Sequence, residues 1–526
     1  MKINVLTQLR EVIEALLIRQ ANLHKPFRNF IIETMILYIV MLGKVNYTSM
    51  ARISDSCESR FRQNFKQSFD WLGFNMQFTE RMLDQRKAIA IDPTYISKAG
   101  KKTPGVGYFW SGCAGAPKWG LEILGIAVVN ADTKETVHLK AVQTIKRPKR
   151  RGPKPKHLKA LKESNGLFAI YLNALKADAE RLRSITPHVV ADSFFANGPF
   201  LKGLDSMGLD LISRLHDNAR LKYMYTGPQK PRGRRRIFGE RVDLDNLDEA
   251  VFSSEAIIDE DGKGVILHTG EVWVECMERV CKVVVADYLD DDKKTQTRKV
   301  YVASDKSLSG RDIYDLYRTR FQIEFLYRDG KSHMGLEHCQ ARNEQALDFS
   351  YNMSLSSINV LREYARQYGY TKLSIGSLKL LMHNAYMLDR FISISGKSPK
   401  LRKNDTDFKE LLFLGVRYAA QTFIKLTNYC AVSSFNNIFA SGEFFNSFGQ
   451  AAIWVRKRQI TEFINLRSFF VWFDPQHKFP SPSSMYIIVH KFNVSPSIED
   501  RSSILNRRPY INTNTFWSTV NINVVL

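Results

Sequence analysis

The stretch DIYDLYRTRFQIEFLYRDGK, Asp312 to Lys331, governs how the rest of the chain is read. Taken as one helix, it places Tyr317, Arg320, Glu324 and Lys331 at successive spacings of three, four and seven. Those spacings stack side chains on one helical face. A tyrosine, an arginine, a glutamate and a lysine in one row do not suit an apolar core, because a buried charge needs a partner. Such a stripe faces solvent or an anionic ligand. Standing alone, a charged stripe is ordinarily a solvated face laced by ion pairs. Two aspartates elsewhere change that balance, each ending a run that reads as a buried strand: Asp92 after KAIAI and Asp192 after HVVA.

The chain of 526 residues carries 76 lysines and arginines against 53 aspartates and glutamates, a formal charge of +23. That excess suits a polyanionic partner, nucleic acid first, although a ribosome-associated or membrane-surface protein would share it. The cysteines (Cys57, Cys113, Cys276, Cys281, Cys339, Cys430) are scattered and form no C-x-x-C pair. They read as reduced thiols of a cytoplasmic protein, which excludes a zinc finger and a disulfide framework. The opening MKINVLTQLREVIEALL reads as an amphipathic helix with acids, not a signal peptide. The apolar run Met35 to Leu42 is too short to span a bilayer, so a soluble protein is expected.

Along the chain the texture divides it into six parts. Residues 1–85 read as helices, with Val5, Leu9, Val12, Ile13 and Leu16 at helical spacing. Within them, Thr48 is placed to cap a short helix to Ile53, Ser54 to Ser56 to make a turn, and Cys57 to Leu72 to form a second helix. That second helix carries Arg60, Arg62 and Lys66, the pattern of a helix-turn-helix lying against DNA, although short basic helix pairs are common. Residues 86–215 alternate strand and helix. Between two of the strands, Lys98 to Gly120 reads as a hairpin arm with exposed aromatics, since its glycines follow no nucleotide-binding spacing. The run 146–159, KRPKRRGPKPKHLK, has eight basic residues, among them Lys149, Arg150 and Arg151, and no acid. It reads either as a solvated linker or as a phosphate-contacting loop. A helix from Leu158 to Leu182 follows. Residues 216–307 read as a β-rich insertion, which opens on a second basic run holding Arg234 and Arg235. Residues 308–370 bring the stripe and a further helix from Asn343, and 371–425 are helical. Residues 426–526 form a Phe/Asn/Ser-rich tail that carries no motif.

Asp92, Asp192 and Glu324 form the chemical candidate. Ligands of open α/β sheets collect at the carboxyl ends of strands, where two such aspartates meet and a helix crossing the edge adds a third acid. Three clustered carboxylates repel one another unless a cation neutralises them, and oxygen-only ligation suits Mg²⁺ or Mn²⁺. Two such ions per site serve phosphodiester chemistry. His333 and His338 have no partner at ligand spacing and read as packing or phosphate-contacting residues.

Tyr317-x2-Arg320-x3-Glu324-x6-Lys331 resembles the Y-(2)-R-(3)-E-(6)-K signature of DDE transposases of the insertion-sequence-four family. IAIDPTYISKAGK looks like that family's first-aspartate block and VVADSFFAN like its second, in the family's order. The resemblance covers about residues 45 to 420. It implies an α/β fold: an RNase H-like catalytic core interrupted by the β-rich insertion, with a helical N-terminal DNA-binding domain and a C-terminal helical region. It further implies that Asp92, Asp192 and Glu324 hold two divalent ions, Mg²⁺ or Mn²⁺, and that Tyr317, Arg320 and Lys331 grip phosphates near the cut. The implied partners are double-stranded DNA, as terminal inverted repeats and target, and a second copy in a homodimeric synaptic complex. The implied reaction is nicking, hairpin formation, reopening and strand transfer. In the family a tryptophan of the insertion stacks on a flipped base, and Trp273 is the candidate here, the alternative being an anchor of the insertion's own core. An RNase H-like nuclease without strand transfer, and a DNA-binding remnant whose catalysis has lapsed, stand as the competing readings.

Overall fold

Apolar residues at helical spacing close the N-terminal segment into helices. The computed structural model describes residues 4–417 apart from 22, 146–165, 261, 291–294 and 396–405. Helix α1 (Asn4–Ile18) buries Val5, Leu9, Val12, Ile13 and Leu17, and α2 (Lys25–Val40) buries most of its length. Three short helices follow: α3 (Tyr47–Ile53), α4 (Glu58–Asn64) and α5 (Trp71–Met76). The cap of α3 is Asn46, which accepts from the Ser49 N–H at 2.9 Å, rather than Thr48, whose hydroxyl donates to Glu58. The second helix stops at Asn64 instead of reaching Leu72, because Asp70 caps a separate helix by accepting from the Gly73 N–H.

Strands β1 (Lys87–Ser97), β2 (Gly107–Ser111), β3 (Ala116–Asn130) and β4 (Thr136–Gln143) come next, then helices α6 (Leu167–Lys176) and α7 (Ala179–Ile185). The helix expected over Leu158 to Leu182 is thus divided. Its break lies at Asp178, a buried carboxylate gripped by Lys140 and Arg181 at 2.6 Å each, and residues 158–165 lie outside the described part. After β5 (His188–Ala191), α8 (Gly198–Asp205) and β6 (Asp210–Arg214) come β7 (Leu221–Met224), β8 (Phe238–Arg241) and β9 (Ser253–Ile258). The longer β10 (Gly264–Val274), β11 (Arg279–Leu289) and β12 (Thr295–Ala303) complete the strands. Helices α9 (Gly310–Thr319), α10 (Gln322–His333), α11 (Glu344–Gln367), α12 (Ile375–Ser395) and α13 (Thr406–Leu412) end the described chain.

All twelve strands among the described residues join one mixed sheet in the order β2-β3-β1-β5-β6-β12-β11-β10-β7-β8, with β4 on β3 and β9 on β10. Strands β1, β5 and β6 are parallel, and β3 is antiparallel to β1. Their unbroken apolar runs, Ala88 to Ile91 and Val189 to Ala191, are buried on both faces, as strands covered by helices on either side must be. This mixed α/β arrangement is consistent with an RNase H-like core. The β-rich segment after β6 does not stand apart from that sheet, because Tyr301, Val302 and Ala303 of β12 pair with Arg214, Ser213 and Ile212 of β6.

Strand β4 would be an open edge, with unpaired backbone groups inviting another strand. Helix α11 covers it through carboxamides two turns apart. Asn352 accepts from the Ala141 N–H at 2.8 Å and donates to its carbonyl at 2.9 Å. Asn359 does the same for His138, at 3.1 and 2.8 Å. Asn75 of α5 donates to the Leu139 carbonyl. Replacing Asn352 by leucine leaves the buried Ala141 groups without partners and is expected to cost about 2–3 kcal/mol in denaturant unfolding. A loss under about 0.5 kcal/mol would show that these bonds contribute little.

Candidate active site

Asp92 and Asp192 stand at one level of neighbouring parallel strands. Ile89 pairs with Val189 and Ala90 with Val190, so each aspartate lies two residues beyond the last pair. Asp192 directly follows β5, as the sequence suggests. Asp92 does not end its strand. The fifteen-residue β3 keeps β1 paired on its other side as far as Ser97, with Gly125 opposite Asp92.

The glutamate helix also differs from expectation, being two helices with a bend at Arg320 and Phe321. The Thr319 hydroxyl donates to the Leu316 carbonyl at 2.6 Å, a back-bond that bends helices. The N–H groups of Arg320, Ile323 and Glu324 then bond three residues back, tightening the turn. The bend leaves Phe321 half exposed and turns Arg320 toward β1.

Helix α10 lies along β1 and is fastened at three points. Arg320 reaches Asp92 at 3.4 Å and Glu324 at 3.2 Å. The buried Tyr327 donates its hydroxyl to the Asp92 carbonyl at 2.5 Å. That approach requires Gly125, since a Cβ there would lie 2.1 Å from the same hydroxyl. Lys331 donates to the Thr94 hydroxyl at 3.1 Å and to the Tyr95 carbonyl at 2.7 Å. Three members of the stripe therefore already have partners within the protein.

Burial pushes the Asp92 carboxyl up to about 7; Arg320 opposes the shift, while Glu324, Asp192 and Glu122 add to it. Glu122, also buried, accepts from Tyr171 at 2.9 Å and from Thr144 at 2.8 Å. Glu324 and Asp192 thus both lie within electrostatic reach of Asp92, with the Arg320 guanidinium as the cation between Asp92 and Glu324. Among the described residues, no group of three or more acids, histidines or cysteines is drawn together closely enough to hold an ion. The donor set nevertheless fits a divalent cation. It is all oxygen, and it includes a carboxylate that burial holds against ionisation with the Arg320 guanidinium beside it.

Beside Tyr317 and Arg320 a cavity of about 310 Å³ opens between the bend and the insertion strands, lined by Tyr288, Lys299, Tyr301 and Phe321 among others. Tyr317 packs on Tyr301 with ring centroids 5.0 Å apart, and Lys299 lies over the Tyr288 ring at 5.0 Å. Arg214 ends β6 opposite Tyr301. Tyr288, Lys299, Tyr301, Phe321 and Arg214 escape a reading by spacing, although Arg214 closes its strand much as Asp192 follows β5. Tyr327 lies three residues past Glu324 and four before Lys331, so the stripe's own periodicity included it.

The remaining candidates are dispersed. Arg60 is paired with Glu33 at 2.7 Å and Arg62 with Glu58 at 2.7 Å, while Lys66 is exposed. Arg234 and Arg235 are exposed between β7 and β8. Lys149, Arg150 and Arg151 lie outside the described residues, as does the tail from 426. The structure does not bring Trp273 to the acids. It sits near the end of β10 that leads to the β11 turn, paired with Val280, and its ring lies 4.8 Å from Phe238. His338 accepts from the Val45 N–H at 3.2 Å, a packing role. No helix among the described residues is long and apolar enough to cross a membrane.

Two protein-family models match the chain. One is described as a transposase DDE domain and covers residues 172–359, which include Asp192 and Glu324. The other is described as a DDE superfamily endonuclease and covers residues 66–256, which include Asp92 and Asp192. A comparison with curated proteins gives no match. Each acid falls within a matched region, and the matches support a DDE-type transposase, for which DNA is the implied substrate.

Proposed function

We propose that this protein cuts and joins DNA at the ends of an insertion sequence of the insertion-sequence-four type, by phosphodiester hydrolysis and strand transfer through a hairpin. The observation that carries this reading is the register of Asp92 with Asp192 on adjacent parallel strands, with Glu324 and Arg320 brought over them by the bend. Asp92, Asp192 and Glu324 would hold two divalent ions, Mg²⁺ or Mn²⁺. When bound, the ions supply Lewis-acid polarisation of the phosphodiester and neutralise charge on the attacking and leaving oxygens.

The chain's own groups do the positioning. Arg320 would exchange its carboxylate partners for a DNA phosphate, which its planar fork fits bidentately. Lys331 donates to Thr94 and Tyr95 and faces Glu337 at 3.8 Å, and it would turn from Glu337 to give its third donor to a second phosphate. Tyr327 holds the Asp92 backbone against the helix that carries Glu324. An extrahelical base, required by a hairpin, is better received by the cavity of Tyr288, Tyr301, Tyr317 and Phe321 than by Trp273, since the cavity adjoins Arg320. Two ends must be joined in one reaction, so a homodimer assembled on DNA is the expected working form. The test supplies a labelled duplex bearing the inverted repeats that flank the reading frame, together with Mg²⁺ or Mn²⁺. Nicked, hairpinned and integrated products are expected. Nicks alone would reduce the protein to a nuclease, and absence of any product with either ion would remove the reading.

A further inference from the structure

We infer that the β2–β3 hairpin is a stacking arm for unpaired nucleotides of the DNA bound at the acids; this rests on the DNA reading above. In β2, Phe109 and Ser111 point inward and are buried, while Tyr108 and Trp110 point outward and are 68% and 62% exposed. The register pairs Tyr108 with Trp119 and Trp110 with Pro117, so three aromatic rings and a proline share the outer face. Tyr108 and Trp119 meet edge to face, with centroids 5.4 Å apart. The Tyr95 hydroxyl fastens the arm's base by donating to the Trp119 carbonyl at 2.6 Å.

Such a face is costly to leave in water unless it has a partner, and its surroundings indicate which kind. From Lys98 to Leu121 there is no acid; Lys101 and Lys102, in the loop before β2, are exposed, and Lys118 is exposed on the other face, opposite Phe109. Cations flanking flat rings are the chemistry of single-stranded nucleic acid: charge holds the backbone, and the rings accept any base. The location agrees. Strand β1 runs five residues beyond Asp92, about 17 Å, to where Ser97 pairs with Gly120 at the arm's base. A strand held at the acids and continuing along β1 meets the ring face next.

The test measures anisotropy of labelled DNA in buffer free of divalent ions, comparing a blunt duplex with the same duplex carrying a single-stranded extension. The full chain is expected to bind the extended DNA more tightly. The double variant Tyr108→Ala/Trp110→Ala should lose about 10- to 100-fold on the extended DNA and keep its affinity for the blunt one, and Trp110→Phe should retain most of the binding. Equal binding of both DNAs by the unaltered protein overturns the arm. So does an equal loss on both by the double variant, or a Trp110→Phe variant as weak as Trp110→Ala. A changed sedimentation coefficient of the free double variant would mark the face as a contact between copies, again overturning it. Failure of the unaltered protein to bind either DNA would instead remove the DNA reading itself, and the arm with it.

Discussion

Replacing Glu324 by glutamine is expected to reduce DNA cleavage by on the order of a thousandfold or more while leaving DNA binding within a few-fold of the unaltered protein. The two effects separate because glutamine keeps the side chain's shape and an oxygen for the Arg320 contact at 3.2 Å. Helix α10 stays docked through Tyr327 and Lys331, which do not depend on the Glu324 charge. What disappears is one negative charge where cations must be held. Cleavage of end-labelled duplex and a gel-shift titration read the two quantities. Cleavage within tenfold of normal would sink the assignment of Glu324.

Asp92→Asn should act in the opposite sense on stability. In the metal-free protein burial raises the Asp92 carboxyl to about 7, from about 3.8 in an unfolded chain. A raised folded value means that folding favours the protonated form. Its stabilising contribution is complete below about pH 4 and is lost as pH rises through 7. Asparagine never ionises and avoids the loss. The variant is therefore expected to match the unaltered protein near pH 4 and to exceed it at pH 8, by roughly 2–4 kcal/mol at most. The Arg320 contact forgone in the variant reduces that margin. Adding Mg²⁺ at pH 8 should stabilise the unaltered protein and not the variant, because only the carboxylate gains from a cation. Denaturant unfolding at the two pH values, with chelator and with Mg²⁺, measures this. A stability difference independent of pH would mean that Asp92 is not held against ionisation.

The stripe was legible because helical periodicity survives in the residues that carry it: Arg320 and Glu324 do meet, four residues apart, over Asp92. Asp192 was legible because a short apolar run stops at it. The bend between α9 and α10 was not, since it depends on the Thr319 hydroxyl choosing the Leu316 carbonyl, which spacing does not encode. The length of β1 was hidden for a related reason. Its residues past Asp92 are held by β3 rather than by apolar burial on two faces, so the run looks as if it ends early. The asparagines of α11 read as ordinary polar positions, and their partners lie more than two hundred residues away, at Ala141 and His138. Trp273 is a candidate only through the resemblance, and it lies against Phe238; of the rings beside Arg320, Tyr317 stands in the stripe, whereas nothing in their local pattern distinguishes Tyr288, Tyr301 and Phe321.

Because β12 is hydrogen-bonded to β6, the inserted strands and the strands that position the acids form one stiff plate rather than two hinged leaves. Swinging one against the other would tear ladder bonds in the middle of the sheet. Fitting a substrate to this protein is therefore expected to fall to the side chains at the helix bend and to distortion of the DNA, with the plate acting as an anvil.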